Sequence, residues 1–276
     1  MANVSKFTKI VLGFGFFFLY APMLVLIIYS FNSSERVNIW ADFSFKWYVE
    51  LFRDDAIMSA VWVSLKLAFF SASAAVILGT LAALVLARAG KFTGKTVFGS
   101  LVTAPLVMPE VITGLSLLLL FVAMVNSFGW PQERGFLTIW IAHVTFCMAY
   151  VTVVVSSRLA EMDRSLEEAA MDLGANKIKT FIFITLPIIL PALVSGWLLA
   201  FTLSLDDLVI ASFVSGPSST TLPMIVFSSV RLGLSPKINA LATIMILTVL
   251  TAAFAAYYIS SREERTRRQG ELINED

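Results

Sequence analysis

Three acidic side chains lie inside stretches that are otherwise apolar: Asp206 and Asp207 in Phe201-Thr-Leu-Ser-Leu-Asp-Asp-Leu208, and Glu110 just after Pro105 and Pro109. On insertion scales each charge at such a position costs roughly 2.5–3.5 kcal/mol, so a pair of neighbours needs a physical reason. At helical spacing Gly196, Ala200, Ser204, Asp207 and Ala211 form one stripe of small and polar groups. Such a stripe either lets two helices approach closely or lines a path. As a path lining, the two aspartates attract a cation, and the stripe favours Asp207 over Asp206. As a packing surface, they are buried against Lys, Arg or backbone donors, or kept neutral. The prolines before Glu110 free backbone carbonyls that protein or water must satisfy, which suits a cavity or gate. Glu110 then either lines that pore or caps the helix start after Pro109.

Catalysis fits these residues poorly. Proteolysis by two aspartates needs carboxylates on separate helices, whereas neighbours on one helix point about 100° apart. A serine–histidine pair would need His143, the single histidine, beside a strained glycine-flanked serine; Ser195-Gly196 exists, but nothing else supports it. His143 has no Cys or carboxylate at metal-ligand spacing and reads as a hydrogen-bonded core residue. The run Ala89-Gly-Lys-Phe-Thr-Gly-Lys-Thr96 satisfies a loose phosphate-loop pattern. An apolar span precedes it where a phosphate loop requires a strand, so it reads as a basic turn. No catalytic residue and no metal site is expected.

The elements that hold these residues are membrane spans. The chain is 58% hydrophobic and 14% charged, with a mean hydropathy of +0.84. A bilayer core needs roughly 20 apolar residues per helix. That ruler predicts an all-α membrane protein of one domain, residues 1–276, with six spans at about 10–31, 60–87, 97–125, 136–157, 188–214 and 238–260. The first span is too long for a signal-peptide core and lacks a cleavage pattern. With the N-terminus inside, thirteen Lys and Arg fall on inside segments and six outside, so both termini are expected in the cytoplasm. The basic run Arg262–Arg268 reads as a positive-inside tail. Lys66 is placed to snorkel from the second span. The formal net charge of +1 suggests no nucleic-acid partner, and a lone Cys147 permits no internal disulfide. The loop from about 32 to 59 is aromatic and amphipathic, suited either to a surface helix covering the spans or to docking a soluble protein.

Between the fourth and fifth spans, residues 158–187 form a polar segment that must lie outside the bilayer, on the cytoplasmic side by the charge count. Ser165 and Glu168 stand in the relation of a capping box. Leu166, Ala169, Ala170 and Leu173 share a helical face. Gly174 suits a helix-ending position of positive φ, and Asn176 can cap a second helix that ends against Pro187. Small residues presented this way suggest contact with another protein.

Glu168-Ala-Ala170, three residues, Gly174, nine residues and Ile184-Thr-Leu-Pro187 together resemble the cytoplasmic EAA loop of ABC-importer permease subunits. Glu168, Ala169, Ala170, Gly174, Ile184, Leu186 and Pro187 match its fixed positions. The stretches Phe201–Leu208, Ser212–Pro217, Ala104–Pro109 and Asn239–Thr243 are similar to the smaller permease subunit of putrescine/spermidine uptake systems, the putrescine type foremost. The resemblance implies a type I importer permease fold and a chain that translocates polyamine without being an enzyme. It implies a second, related permease subunit, two cytoplasmic ATPase subunits that use the ATP, a periplasmic polyamine-binding protein and a bacterial inner-membrane location. No cofactor is expected on this chain itself. The matched loop would seat in the ATPase, with Glu168 pairing to a cation there. Asp207, Asp206, Ser204 and Glu110 become candidates for the substrate path. A ferric-iron or other small-solute permease on the same scaffold is the alternative.

Overall fold

The computed structural model describes residues 5–36, 39–233 and 235–273, except for the side chains of residue 232, residues 253, 256 and 257, and all from 259 onward. The basic run Arg262–Arg268 therefore lies outside the described side chains. Among the described residues the only strand-like pairing is one bridge between Asn32 and Phe43. The chain is otherwise helical and forms two compact units, residues 59–225 and residues 1–58 with 226–276.

The larger unit contains most of α3 (Asp55–Arg88), then α4 (Lys95–Thr103), α5 (Glu110–Phe128), α6 (Phe136–Glu161), α7 (Ser165–Asp172), α8 (Lys177–Thr180), α9 (Leu186–Asp206) and α10 (Val209–Val214). Its axis is α6, whose Ile139, Ala142, Cys147, Val151, Val155 and Leu159 are all fully buried. Lipid tails are as apolar as leucine, so the hydrophobic effect does not press spans together; close packing of small residues does. That is what α6 meets. From α3 come Ala72, Ala75 and Ala83, and a Cβ on Gly79 would lie 2.8 Å from the Val151 side chain. From α9 come Ala200 and Gly196, the latter with room for a methyl at 3.5 Å.

In the smaller unit, α1 (Lys6–Tyr29) is apolar all round and buries none of its residues, and α2 (Lys46–Phe52) packs on α12 (Pro236–Ile273) through its own small core of Trp47 and Leu51. The aromatic loop is organised by buried Asn32. Its side chain donates to the Ile39 carbonyl and accepts from the Ala41 amide, while its carbonyl accepts from the Trp47 indole at 2.6 Å. Phe31, Phe43, Phe45 and Tyr48 stack around this hub. Within this unit the loop carries a surface helix, α2, packed on α12. Asp54 pairs with Lys237 at 3.0 Å, and that ammonium holds its carboxyl below the ordinary range. Lys66 lies over the Trp62 ring rather than reaching a carboxylate.

Two predicted spans are broken. The stretch read as 97–125 is α4, a 3-10 turn over Ala104–Leu106 and then α5, with the interruption at Pro109. Pro105 and Pro109 lack the N–H groups that would continue the ladder. The stretch read as 188–214 is α9 and α10, separated at Asp207, whose ψ of 122° is extended. A further helix, α11 (Leu222–Leu232), occupies what reads as loop in the sequence. Five described helices are long and apolar enough to cross a bilayer, α8 and α9 counting as one span over Lys177–Asp206; the apolar part of α12, Pro236–Ala252, is shorter.

The α3–α6 contact yields a direct expectation. Gly79→Val should lower stability by about 1–3 kcal/mol through overpacking against Val151, visible as a lower Tm of the purified protein in detergent. Gly196→Ala, with its free space, should leave Tm unchanged, and equal Tm values for both variants would refute this account of the contact.

Candidate functional site

The polar segment begins at Met162, whose ψ of 127° ends α6. The Asp163 carboxylate then accepts the Ser165 amide at 2.9 Å, and this bond together with one from the Ser165 side chain holds its carboxyl below the ordinary range. The capping box expected between Ser165 and Glu168 does not form. Ser165 is already the first helical residue of α7, so its hydroxyl cannot act from the position before the helix, and Asp163 does the work instead. Glu168 is thereby exposed, with its carboxylate in no hydrogen bond or ion pair among the described residues.

Gly174 has a φ of +88°. The Gly174 amide bonds the Met171 carbonyl and the Ala175 amide bonds that of Ala170, the paired closure that a left-handed residue makes possible at a helix end. Asn176 caps α8 by accepting the Lys179 amide at 2.9 Å, as its position suggested. The second helix does not stop at Pro187. It widens into a π-helical turn over Phe181–Thr185 and runs on as α9. The ring of a helical proline clashes with the carbonyl four residues back, here Phe183, and a wider turn relieves that clash. Ile184 and Leu186 are half-buried at this joint and Pro187 is exposed.

The period of α7 gives it two faces. Leu166, Ala169 and Leu173 point outward, Leu173 being 91% exposed, while Glu168, also exposed, stands with Arg164, Glu167 and Met171 on the side that borders a cleft. Ala170 is half-buried. The inward residues escaped the sequence reading. Glu167 forms an ion pair with Arg88 at 3.0 Å, and its other oxygen accepts the Thr185 hydroxyl at 2.7 Å. Arg164 donates to the Ala87 carbonyl at 2.7 Å. The three-residue spacing of Arg164 and Glu167 hints at a common face, but Arg88 lies too far along the chain for spacing to find it. Beside these residues runs a cleft of about 550 Å³ walled by Leu84, Val85, Met171 and Phe181. The basic turn joins α3 to α4 with Gly90 and Gly94 at positive φ, and Lys95 donates to the Gly90 carbonyl. Helices flank it on both sides, so it lacks the strand that a phosphate loop needs.

The intramembrane acids divide. Asp207 and Ser204 are buried, Asp206 and Glu110 exposed. His143 on α6 makes the division. Its Nδ1 is 2.7 Å from the Ser204 hydroxyl and its Nε2 3.1 Å from the Asp207 carboxylate. The same carboxylate accepts the Ala211 amide at 2.7 Å and the Ile210 amide at 3.3 Å, satisfying the open start of α10. The stripe Gly196–Ala211 therefore packs against α6, and of the two aspartates Asp207 is buried and Asp206 exposed. The buried Ser204–His143–Asp207 chain holds α6, α9 and the start of α10 together. Glu110 starts α5, and a Cβ on Gly114, one turn on, would strike Phe213 of α10 at 2.7 Å. This close packing brings the two helix breaks together, with Glu110, Asp206 and Asp207 within electrostatic range of one another.

The sequence model of the family described as "Binding-protein-dependent transport system inner membrane component" matches residues 75–266. The chain belongs to that family. It is a multi-pass inner-membrane permease. The "Putrescine transport system permease protein PotI" of Escherichia coli (strain K12) is 65% identical over 263 residues, 95% of this chain and 94% of that protein. The "Spermidine/putrescine transport system permease protein PotC" of Haemophilus influenzae is 42% identical, over 89% of this chain and 93% of that one. Among solved structures, a bacterial ABC transporter that imports the acidic polysaccharide alginate has a chain superposing with a TM-score of 0.71 at 16% identity, over 95% of this permease and 99% of that chain. That likeness establishes the importer-permease fold.

The buried cluster has a measurable signature. His143→Leu strands the Asp207 carboxylate and the Ser204 hydroxyl and should cost roughly 1–3 kcal/mol, lowering Tm and the yield of folded permease. Asp206→Asn, changing an exposed acid, should leave both untouched. A His143→Leu protein as stable as the parent would sink the assignment.

Proposed function

We propose that this permease is one transmembrane subunit of an ATP-driven importer for polyamines, putrescine foremost. The observation that carries the substrate is the 65% identity, over nearly the full length of both chains, to a putrescine permease. The chain works with a second, related permease subunit, two cytoplasmic ATPase subunits and a periplasmic polyamine-binding protein, and both its termini lie in the cytoplasm. ATP acts on the ATPase chains, and this chain holds no cofactor. The outward face of α7 seats in the ATPase. Leu166, Ala169 and Leu173 supply an apolar surface left uncovered among the described residues, and the exposed carboxylate of Glu168, at the edge of the neighbouring cleft, is available to a cation on the partner. Gly174 sets the bend after this face, while Ile184, Leu186 and Pro187 set the angle of α9. Closure of the ATPase pair on ATP would then move the segment and switch the spans between outward and inward openings.

The solute's path follows from the broken helices. Irregular backbone at membrane depth is tolerated where it is enclosed by protein or lines a watery cavity, and transporters place binding groups at such breaks. Asp206 and Glu110 are the exposed acids at two breaks that pack together. They offer a dication counter-charges in place of its water. Asp207 and Ser204 serve the path from behind, by fixing the break at which Asp206 stands.

Two experiments test this. In reconstituted complexes, Asp206→Asn and Glu110→Gln should each reduce uptake of labelled putrescine by about tenfold while the ATPase subunits still co-purify; normal uptake in both variants removes the acids from the path. Loss of one charge contact in a partly desolvated site is worth more than an exposed pair, which contributes about 0–1 kcal/mol. For topology, single cysteines at Ser127 and Ser218 in a Cys147→Ala background should react with an impermeant thiol reagent applied outside, and one at Thr93 only after the membrane is opened. Outside labelling at Thr93 would invert the topology and with it the docking role.

A further inference from the structure

We propose that Glu167 is the positioning residue through which movement of α7 enters the membrane spans, acting simultaneously on the end of α3 and the root of α9. The inference rests on the docking role given above to the outward face of α7. It concerns Arg164 and Glu167, whose contacts lie within this chain.

A short helix that is pushed by a partner moves the spans only if something rigid joins them. The covalent connections of α7 are poor candidates. On one side the chain turns through the extended Met162, and on the other through Gly174 in the left-handed region. Both are bends rather than struts. The side-chain connections are better. The two oxygens of the Glu167 carboxylate go to two different elements: one to Arg88 in the last turn of α3, the other to Thr185, the final residue of the π-helical turn. Thr185 is buried, and the side chains of Arg88 and Glu167 are only 18% and 16% exposed, so neither contact is a loose surface pair. Arg164, one turn earlier, grips the same end of α3 through the Ala87 carbonyl. That carbonyl is among the last four of its helix, which have no helical partner, and a cation there also meets the negative end of the helix dipole.

The places where these contacts attach suit a lever. The π-helical turn departs from the regular bonding of a helix, and Pro187 just beyond it donates no hydrogen bond. The root of α9 is therefore a local defect of the kind at which helices bend. The cleft of about 550 Å³ alongside leaves α7 room to travel toward α3. With Glu167 in place, that travel must drag Thr185 and Arg88 with it. Without Glu167, α7 can shift on its two bends while α3 and α9 stay behind.

The test uses the assembled importer in proteoliposomes, measuring labelled putrescine imported per ATP hydrolysed. Glu167→Gln and Arg88→Gln should each lower that ratio at least fivefold with the ATPase subunits still bound, and the reversed pair Glu167→Arg with Arg88→Glu should regain part of it. A purely structural staple would instead reduce assembly, with the ratio unchanged in whatever complex survives; an unchanged ratio overturns the proposal. If the charge variants do not assemble, Thr185→Val decides, because it deletes a single hydrogen bond: a lowered ratio supports the lever and a normal one ends it. Glu168→Lys, run in parallel, separates the two claims. Should it bind the ATPase normally, the docking role falls and the lever with it. Should it detach the ATPase while Glu167→Gln keeps a full ratio, the lever alone is wrong.

Discussion

Inside a bilayer no water is at hand to bond a free amide or carbonyl, so any interruption of a span must be satisfied from within the protein. The permease interrupts the span after Asp206, and the open amides of Ile210 and Ala211 at the start of α10 are taken by the Asp207 carboxylate. A buried carboxylate itself needs a partner, which His143 supplies from α6, and the other nitrogen of that imidazole is occupied by Ser204. One side chain thus ties the last turn of α9, the first turn of α10 and the central helix. The stripe of small residues that brings α9 against α6 is the steric condition for this arrangement, since only a close approach lets His143 reach both groups.

The second constraint acts at the polar segment that follows α6. The eight residues of α7 present one exposed face and one anchored face through helical period alone. The outward positions are apolar or small. On the other side Arg164 and Glu167 are satisfied by α3 and by the root of α9. Asp163 rather than Ser165 caps the helix, and Glu168 stays exposed, its carboxylate in no hydrogen bond or ion pair among the described residues.

How much of this could be read in advance depends on whether the information is local. Asn176 as a cap and Gly174 as a left-handed stop are set by a few adjacent residues, and both stand as expected. The apolar runs located the spans for the same reason. The breaks near Pro109 and Asp207 were harder. Hydropathy averages over some twenty residues and is blind to a gap of two or three, although the prolines and the doubled aspartate marked the places. The α11 helix was missed because its apolar stretch is too short for the span criterion. Pairings such as Glu167 with Arg88, or His143 with Asp207, join residues far apart in sequence, and neither spacing nor composition encodes them. The Ser165 capping box failed for a subtler reason: the pattern was present, but the chain entered the helix one residue earlier than the pattern assumes.

Asp206 and Asp207 show what the fold adds to such a reading. As neighbours of identical chemistry, they differ in sequence only by position in a stripe, and the stripe selects Asp207. The break reverses the meaning of that choice, because the residue at the centre of a close helix contact is the one whose charge is consumed by the protein. Its neighbour, turned about 100° away on the last helical turn, stays exposed. Glu110 stands in the same relation to its own break, heading α5 beside α10 with no internal donor among the described residues. In a membrane protein, then, an acid consumed by the fold and an acid left exposed are separated less by residue type than by which of them the interrupted backbone requires.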